Sequence, residues 1–208
     1  MISRREFLKT ASLAGTAAIL DLHKVWGKSL GTDYFGLNDF IENHPDAVFI
    51  LQTNVDVKPN ATAIKDVGHQ LGKTLFVGRP SPVNAYPVAG NVAIKPNITS
   101  WSWDRPPIEQ TMGIQTDPNF VEGVINSLQD LSVDARNIYI RDGNYFGSEA
   151  PDGKWYSDLA QRTGVNLMDL SAGVWKISSS EIQWVDVPDG IWYDRIAYLW
   201  PVNSPSSC

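Results

Sequence analysis

Residues 116–131 read T-D-P-N-F-V-E-G-V-I-N-S-L-Q-D-L. Phe120, Val121, Val124, Ile125, Leu128 and Leu131 recur at the spacing that lines one face of an α-helix. Asp117 stands at the N-cap, where a carboxylate accepts a backbone N–H of the first turn. Pro118 follows at the first helical position, where a missing amide hydrogen costs nothing. Short apolar runs lie on either side, N-V-A-I at 91–94 and N-I-Y-I at 137–140, and both read as strands. Strand, helix and strand in this order predict a parallel pair, because parallel neighbours need a crossover connection.

The alternation extends outward. A-V-F-I-L at 47–51 reads as a buried strand entered from a Pro45-Asp46 turn. Residues 63–71 place Ile64, Val67 and Leu71 on one helical face, with Thr62 as the N-cap. A second strand is expected at 74–77, stopped by R-P-S-P. After the 137–140 strand, a helix at 154–163 leads through Gly164 to a strand at 165–170. Two more strands are expected at 182–187 and 196–199. The stretch between Ile98 and Gln115 is long, rich in Trp and Pro, and irregular, and loops of that length in a compact domain are often functional. The expected architecture is one α/β layered domain over residues 28–208, with flanking helices and a mainly parallel, or mixed, sheet in which 91–94 is central.

Composition narrows the function. The chain has 208 residues, 43% hydrophobic and 19% charged, as in an ordinary globular protein. Its net charge of −6 argues against a nucleic-acid surface, which needs a basic stripe. The single cysteine, Cys208, leaves no disulfide framework and no cysteine-rich cluster. His23, His44 and His69 share no ligand spacing, so neither an iron–sulfur nor a zinc site of Cys/His type is expected within the chain.

The N-terminus carries an address. S-R-R-E-F-L-K at residues 3–9 looks like the twin-arginine export signal, with Arg4 and Arg5 as its pair. The apolar segment that follows, Thr10 to Leu20, spans roughly 16 Å as a helix against a hydrocarbon core of about 30 Å. It is too short for a stable transmembrane helix and fits a signal h-region. Residues 1–27 are therefore read as the signal. Cleavage is open between Val25-Trp26-Gly27 and the Ala17-Ala18 region, and an uncleaved signal acting as a weak anchor is the alternative. The resemblance implies the twin-arginine translocation machinery as partner, a periplasmic or otherwise extracytoplasmic location, and a domain folded before export, often around a cofactor.

N-V-A-I-K-P-N at 91–97, T-D-P at 116–118, I-Y-I-R-D-G at 138–143 and G-V-N-L-M-D-L at 164–170 occur in that order. In this the chain resembles the domain of unknown function 362 family over residues 47–200. Family members share an I-K-P-N strand end, a T-D-P helix start, a strand ending in Gly-Asp or Asp-Gly, and a later G-V-x-L-x-D-L segment. Some carry cysteine-ligated iron–sulfur modules and others are exported single domains; no general reaction is established for them. The family pattern normally continues through a Lys-x-His segment and a Lys-Asn pair, whereas this chain stops at P-V-N-S-P-S-S-C. The departure leads us to expect a C-terminally incomplete domain that is marginally stable or aggregates through an uncovered edge. The alternative is a naturally short member with an edge strand.

In an open α/β sheet, ligands bind outside the carboxyl ends of the strands, beside helix N-termini. Lys95 and Asn97 follow one strand, Thr116 and Asp117 open the next helix, and Asp142 and Asn144 follow the next strand. If the strands are neighbours, the six side chains meet on one rim. Lys95 suits a phosphate or carboxylate and the helix start offers amide donors, while Asp117 and Asp142 suit a hard divalent cation. The bland readings are a solvated lysine, a plain N-cap and an ordinary D-G-N turn. An enzyme built on this rim would run redox or group-transfer chemistry carried by its ligand, since no Ser-His-Asp set has usable spacing. A rival comes from the eight tryptophans. Trp101, Trp103, Trp175, Trp184, Trp192 and Trp200, if exposed, would stack on envelope polysaccharide and make the chain a non-catalytic binding module; core packing is the commoner fate of such rings.

Overall fold

In the computed structural model the described residues are 32–53, 55, 60–98, 115–142, 151–168 and 178–200, and all fall in one compact unit, Gly31–Cys208. Along the chain run β1 (Tyr34–Leu37), α1 (Asp39–Glu42), α2 (Ala61–Leu75), β2 (Phe76–Arg79), β3 (Tyr86–Pro87) and β4 (Val92–Ile94). There follow α3 (Pro118–Asp130), β5 (Ile138–Ile140), α4 (Pro151–Thr163), β6 (Asn166–Leu167), β7 (Ile182–Asp186) and β8 (Arg195–Leu199). The export segment, the 99–114 stretch with Trp101 and Trp103, Asn144, Trp175 and Cys208 lie outside the described residues.

The centre is a parallel sheet flanked by helices, which makes this an α/β domain. β4 and β5 run parallel with Val92 opposite Ile138 and Ile94 opposite Ile140, and β5 and β6 run parallel with Ile140 opposite Leu167. Helix α3 is the first crossover and α4 the second. Asp117 caps α3 as its sequence predicts, accepting the Asn119 N–H at 2.7 Å, with Pro118 in the first turn. Val121, Ile125 and Leu128 of α3 are buried together with Ile138, Ile140, Tyr156 and Leu159. Gly164 ends α4 at φ 76°, a left-handed conformation that favours glycine, and its N–H closes the last turn on the Ala160 carbonyl at 2.8 Å.

Several boundaries and placements differ from expectation. The strand order is β4-β5-β6, so β5 is central and β4 lies at the edge. The buried strand expected at 47–51 does not form, and these residues are exposed. Ala47 instead closes a turn onto the His44 carbonyl at 3.0 Å, and the Phe49 ring sits edge-on to Phe40, 6.0 Å away. A continuous apolar run codes equally for a buried strand or for nothing; only a partner ladder makes it a strand. Helix α2 begins earlier than read. Asn60, not Thr62, is its cap and accepts the Ala63 N–H at 3.0 Å. At its other end α2 continues through Thr74 and Leu75, which delays β2 to Phe76.

Two small antiparallel sheets accompany the parallel one. β1, α1 and β3 carry no strong periodic signal in the sequence, yet β1 pairs antiparallel with both β2 and β3. Arg79 of β2 donates to the Leu37 carbonyl of β1 and ties this sheet to α1 through Asp39 and Glu42, the last at 2.8 Å. β7 and β8 form a hairpin with Ile182 opposite Leu199 and Asp186 opposite Arg195. No helix among the described residues is long and apolar enough to cross a membrane.

Helices α2 and α3 pack with unusually close backbones. Gly68 and Gly72 of α2 face Gly123 and Ser127 of α3, four residues apart on each helix. A Cβ added at Gly68 would collide with the Phe120 carbonyl, and one at Gly123 with the Lys65 carbonyl and the His69 N–H. Glycine in a helix costs about 1 kcal/mol relative to alanine. Here it permits the close approach, which Lys65, Glu122 and Arg162 bracket: Glu122 lies 3.4 Å from Lys65 and 2.7 Å from Arg162.

Candidate functional site

The parallel sheet carries its polar groups where the strands end. Beyond β4, the Asn97 N–H donates to Thr116 Oγ1 at 3.0 Å and the Asn97 carbonyl accepts the Thr116 N–H at 2.9 Å. This two-bond clasp brings the chain leaving β4 against the residue that precedes the α3 cap. Gln115 adds a bond from Nε2 to the Ile98 carbonyl at 3.1 Å. Beyond β5, Asp142 turns its carboxylate to the same place. Its Oδ2 accepts the Ile98 N–H at 2.6 Å, and its Oδ1 lies 2.9 Å from Lys95 Nζ.

Lys95, Asn97, Thr116, Asp117 and Asp142 are thus brought together at the carboxyl ends of neighbouring parallel strands. Their environments differ sharply. The Asp142 side chain is 4% exposed and that of Lys95 75% exposed. The buried carboxylate is held by a backbone amide and an ammonium. The ammonium has three N–H donors, and Asp142 Oδ1 needs only one of them. Asp117 spends Oδ1 on its cap and on Asn119 Nδ2 at 3.0 Å. Its carboxylate already occupies the helix start, so the positive charge among these five residues is that of Lys95.

Two residues missed in the sequence complete the picture. Tyr156 of α4 is fully buried under the rim and donates its hydroxyl to the Thr116 carbonyl at 2.8 Å. Burial, and then the charges of Asp117 and Asp142, push its pKa well above the ordinary tyrosine value. Both act against ionisation, so the phenol stays a donor across the neutral range and braces the Thr116-Asp117 turn. Its signal lay in the spacing of Tyr156 and Leu159 on one face of α4. Arg141, between Ile140 and Asp142, is buried as well. Its Nη1 donates to the Trp200 carbonyl and lies 3.9 Å from Glu181 Oε1. Burial lowers its pKa and Glu181 partly offsets that. Beside it, the Tyr139 ring meets Trp200 edge-on at 4.6 Å. Arg141 thereby anchors the root of the β7–β8 hairpin to the central strand. A charged residue at the end of an apolar strand was its visible mark.

Among the described residues, no three His, Cys, Asp or Glu side chains cluster as a metal-holding group. Asp117 and Asp142 would contribute oxygen ligands to a cation only alongside donors from a bound molecule and water. The class defined by fold and rim is an α/β domain with a lysine-bearing polar edge at its strand ends. No protein-family model, curated protein or solved structure matches the chain.

Proposed function

We propose that the chain is an exported α/β domain that binds a small anionic ligand, free or metal-bound, at the rim, with Lys95 as its charge partner. The observation that carries this reading is the Lys95–Asp142 pair, in which a buried carboxylate orients a largely exposed ammonium at 2.9 Å. An oriented ammonium at strand ends is a point-charge site for phosphate or carboxylate. Any reaction there is redox or group transfer carried by the ligand. Kinship with the domain of unknown function 362 family is part of this proposal, supported by motifs that fall at the β4 end, the α3 start, the β5 end and around β6.

The test combines native mass spectrometry and metal analysis of the exported full-length protein with a thermal-stabilisation panel of phosphates, nucleotides and soluble glucans. A co-purifying anion or metal, or stabilisation by phosphates that Lys95→Ala abolishes, is the expected result. A protein that carries neither, with phosphate responses unchanged in Lys95→Ala, defeats the rim reading. Stabilisation by glucans alone would transfer the function to a second reading, an exported polysaccharide-binding module. That reading is favoured by the hairpin, where the Trp184 and Trp192 residues are 54% and 87% exposed rather than packed in the core.

Export rests on Arg4 and Arg5. Replacing both with lysine is expected to retain the protein in the cytoplasm, measured by fractionation. Unchanged export would remove the twin-arginine claim.

A further inference from the structure

Helices α2 and α3 run in the same direction. Lys65 meets Glu122, Gly68 meets Phe120 and Gly123, and Gly72 meets Ser127, so residue numbers rise together along the contact. Glu122 also reaches Arg162 of α4 at 2.7 Å, which places α3 between α2 and α4. Side chains of α3 and α4 pack with Ile138 and Ile140, which share one face of β5, so both crossovers cover that face.

Parallel strands joined by right-handed crossovers in one direction carry their helices on one face, in the order of the strands. Here α3 joins β4 to β5 and α4 joins β5 to β6. Helix α2, one place further out, stands where a crossover into β4 from a strand on its other side would lie. Its direction agrees. A crossover helix runs opposite to its strands, and α2 runs as α3 does. The α2 start at Asn60 therefore lies toward the rim, where a parallel strand preceding it would finish.

That other side of β4 is open. The Arg141 N–H donates to the Ile94 carbonyl at 2.9 Å, so Val92 and Ile94 bond toward β5 and Ala93 turns its N–H and C=O away. Among the described residues, no backbone hydrogen bond takes up these two groups.

The chain ahead of α2 holds a segment suited to the place. A-V-F-I-L at 47–51 is a continuous apolar run, the pattern of parallel strands covered on both faces. In the structure it is undocked. Val48 is 87% and Ile50 81% exposed, and residues 48–51 make no backbone hydrogen bond among the described residues. Its attachments are the Ala47 N–H on the His44 carbonyl and the Phe49 ring against Phe40. Docking would take this apolar surface out of water and give Ala93 a ladder partner.

We infer that residues 47–51 dock along β4 as a fourth parallel strand, giving the order 47–51, β4, β5, β6. The arrangement seen is the undocked one of two. On docking, the run ends at the rim that carries Lys95 and Asn97, and Gln52 and Thr53 come to stand beside them. Docking requires no ligand and is independent of the rim reading.

Amide hydrogen exchange of the full chain, followed residue by residue, tests it. Ala93 and alternate amides within 48–51 are expected to exchange about 100-fold or more slower than in an unstructured peptide. Neighbouring strand residues turn their N–H groups to opposite sides, so Ile50→Pro or Leu51→Pro must remove a ladder donor. At least one of the two is expected to return Ala93 to fast exchange, while slow exchange of Ile125 and Leu128 reports that α3 is still folded. Should a proline variant not fold, the wild-type rates decide alone. Fast exchange throughout 48–51, or slow exchange at Ala93 that neither proline alters, overturns the inference.

Discussion

Gly123→Ala is expected to destabilise the domain by about 2–3 kcal/mol, although alanine is the better helix former by about 1 kcal/mol. The new Cβ would meet main-chain atoms of α2, the Lys65 carbonyl and the His69 N–H, and main chain cannot rotate out of the way. The two helices must separate, loosening the Val121, Ile125 and Leu128 layer beneath them. Gly123→Leu is expected to leave no folded protein. Gly72→Ala makes the instructive contrast. Its Cβ meets the Ser127 hydroxyl, a side-chain group that donates to the Val124 carbonyl at 2.6 Å. Adding Ser127→Gly removes that obstacle, so the double variant is expected to recover most of the loss. Urea unfolding of the variants checks this; a Gly123→Ala protein as stable as wild type would mean the helices are not in close contact.

Asp142→Ala is expected to cost about 2–3 kcal/mol, or roughly 5–10 °C in Tm for a domain of this size. The main loss is not the ion pair, because Lys95 is largely exposed and such pairs contribute little. The main loss is the charge-assisted bond to the Ile98 N–H, which is left buried without an acceptor. Asp142→Asn keeps an acceptor for that amide and is expected to cost roughly half as much. Thermal unfolding of the two variants decides between these roles. Equal losses would mean that the charge on Asp142, and therefore its pairing with Lys95, contributes most of the stabilisation. The comparison bears on function, because a rim whose carboxylate mainly holds a backbone amide leaves Lys95 available to a ligand.

The α3 helix and its flanking strands were legible because every local cue agreed: apolar spacing, an acidic cap, a proline at the start, and strands on either side. The grouping of the candidate rim was legible for the same reason. Residues that end strands and begin helices sit on one rim whenever the strands are parallel neighbours, so Lys95, Asn97, Thr116, Asp117 and Asp142 could be grouped from chain order alone. Arg141 and Tyr156 could not. The first is defined by a carboxylate and a carbonyl far along the chain, at Glu181 and Trp200, and the second by the turn at Thr116.

Local cues in the chain were enough for the α/β class, the α3 crossover and the candidate rim, because caps and periodicity act within a few residues. Packing settled the rest. It made β5 central rather than β4, since a strand's rank depends on which neighbours exist and residues 47–51 supply none. It turned Gly68, Gly72 and Gly123 from weak points in two helices into the contact between them, since only the approach of a second backbone gives a missing Cβ its value. It also left Trp184 half-exposed on the β7–β8 hairpin, with the Arg195 guanidinium over its ring, where composition alone would have placed the ring in a core, because burial of a side chain is decided by what lies opposite it.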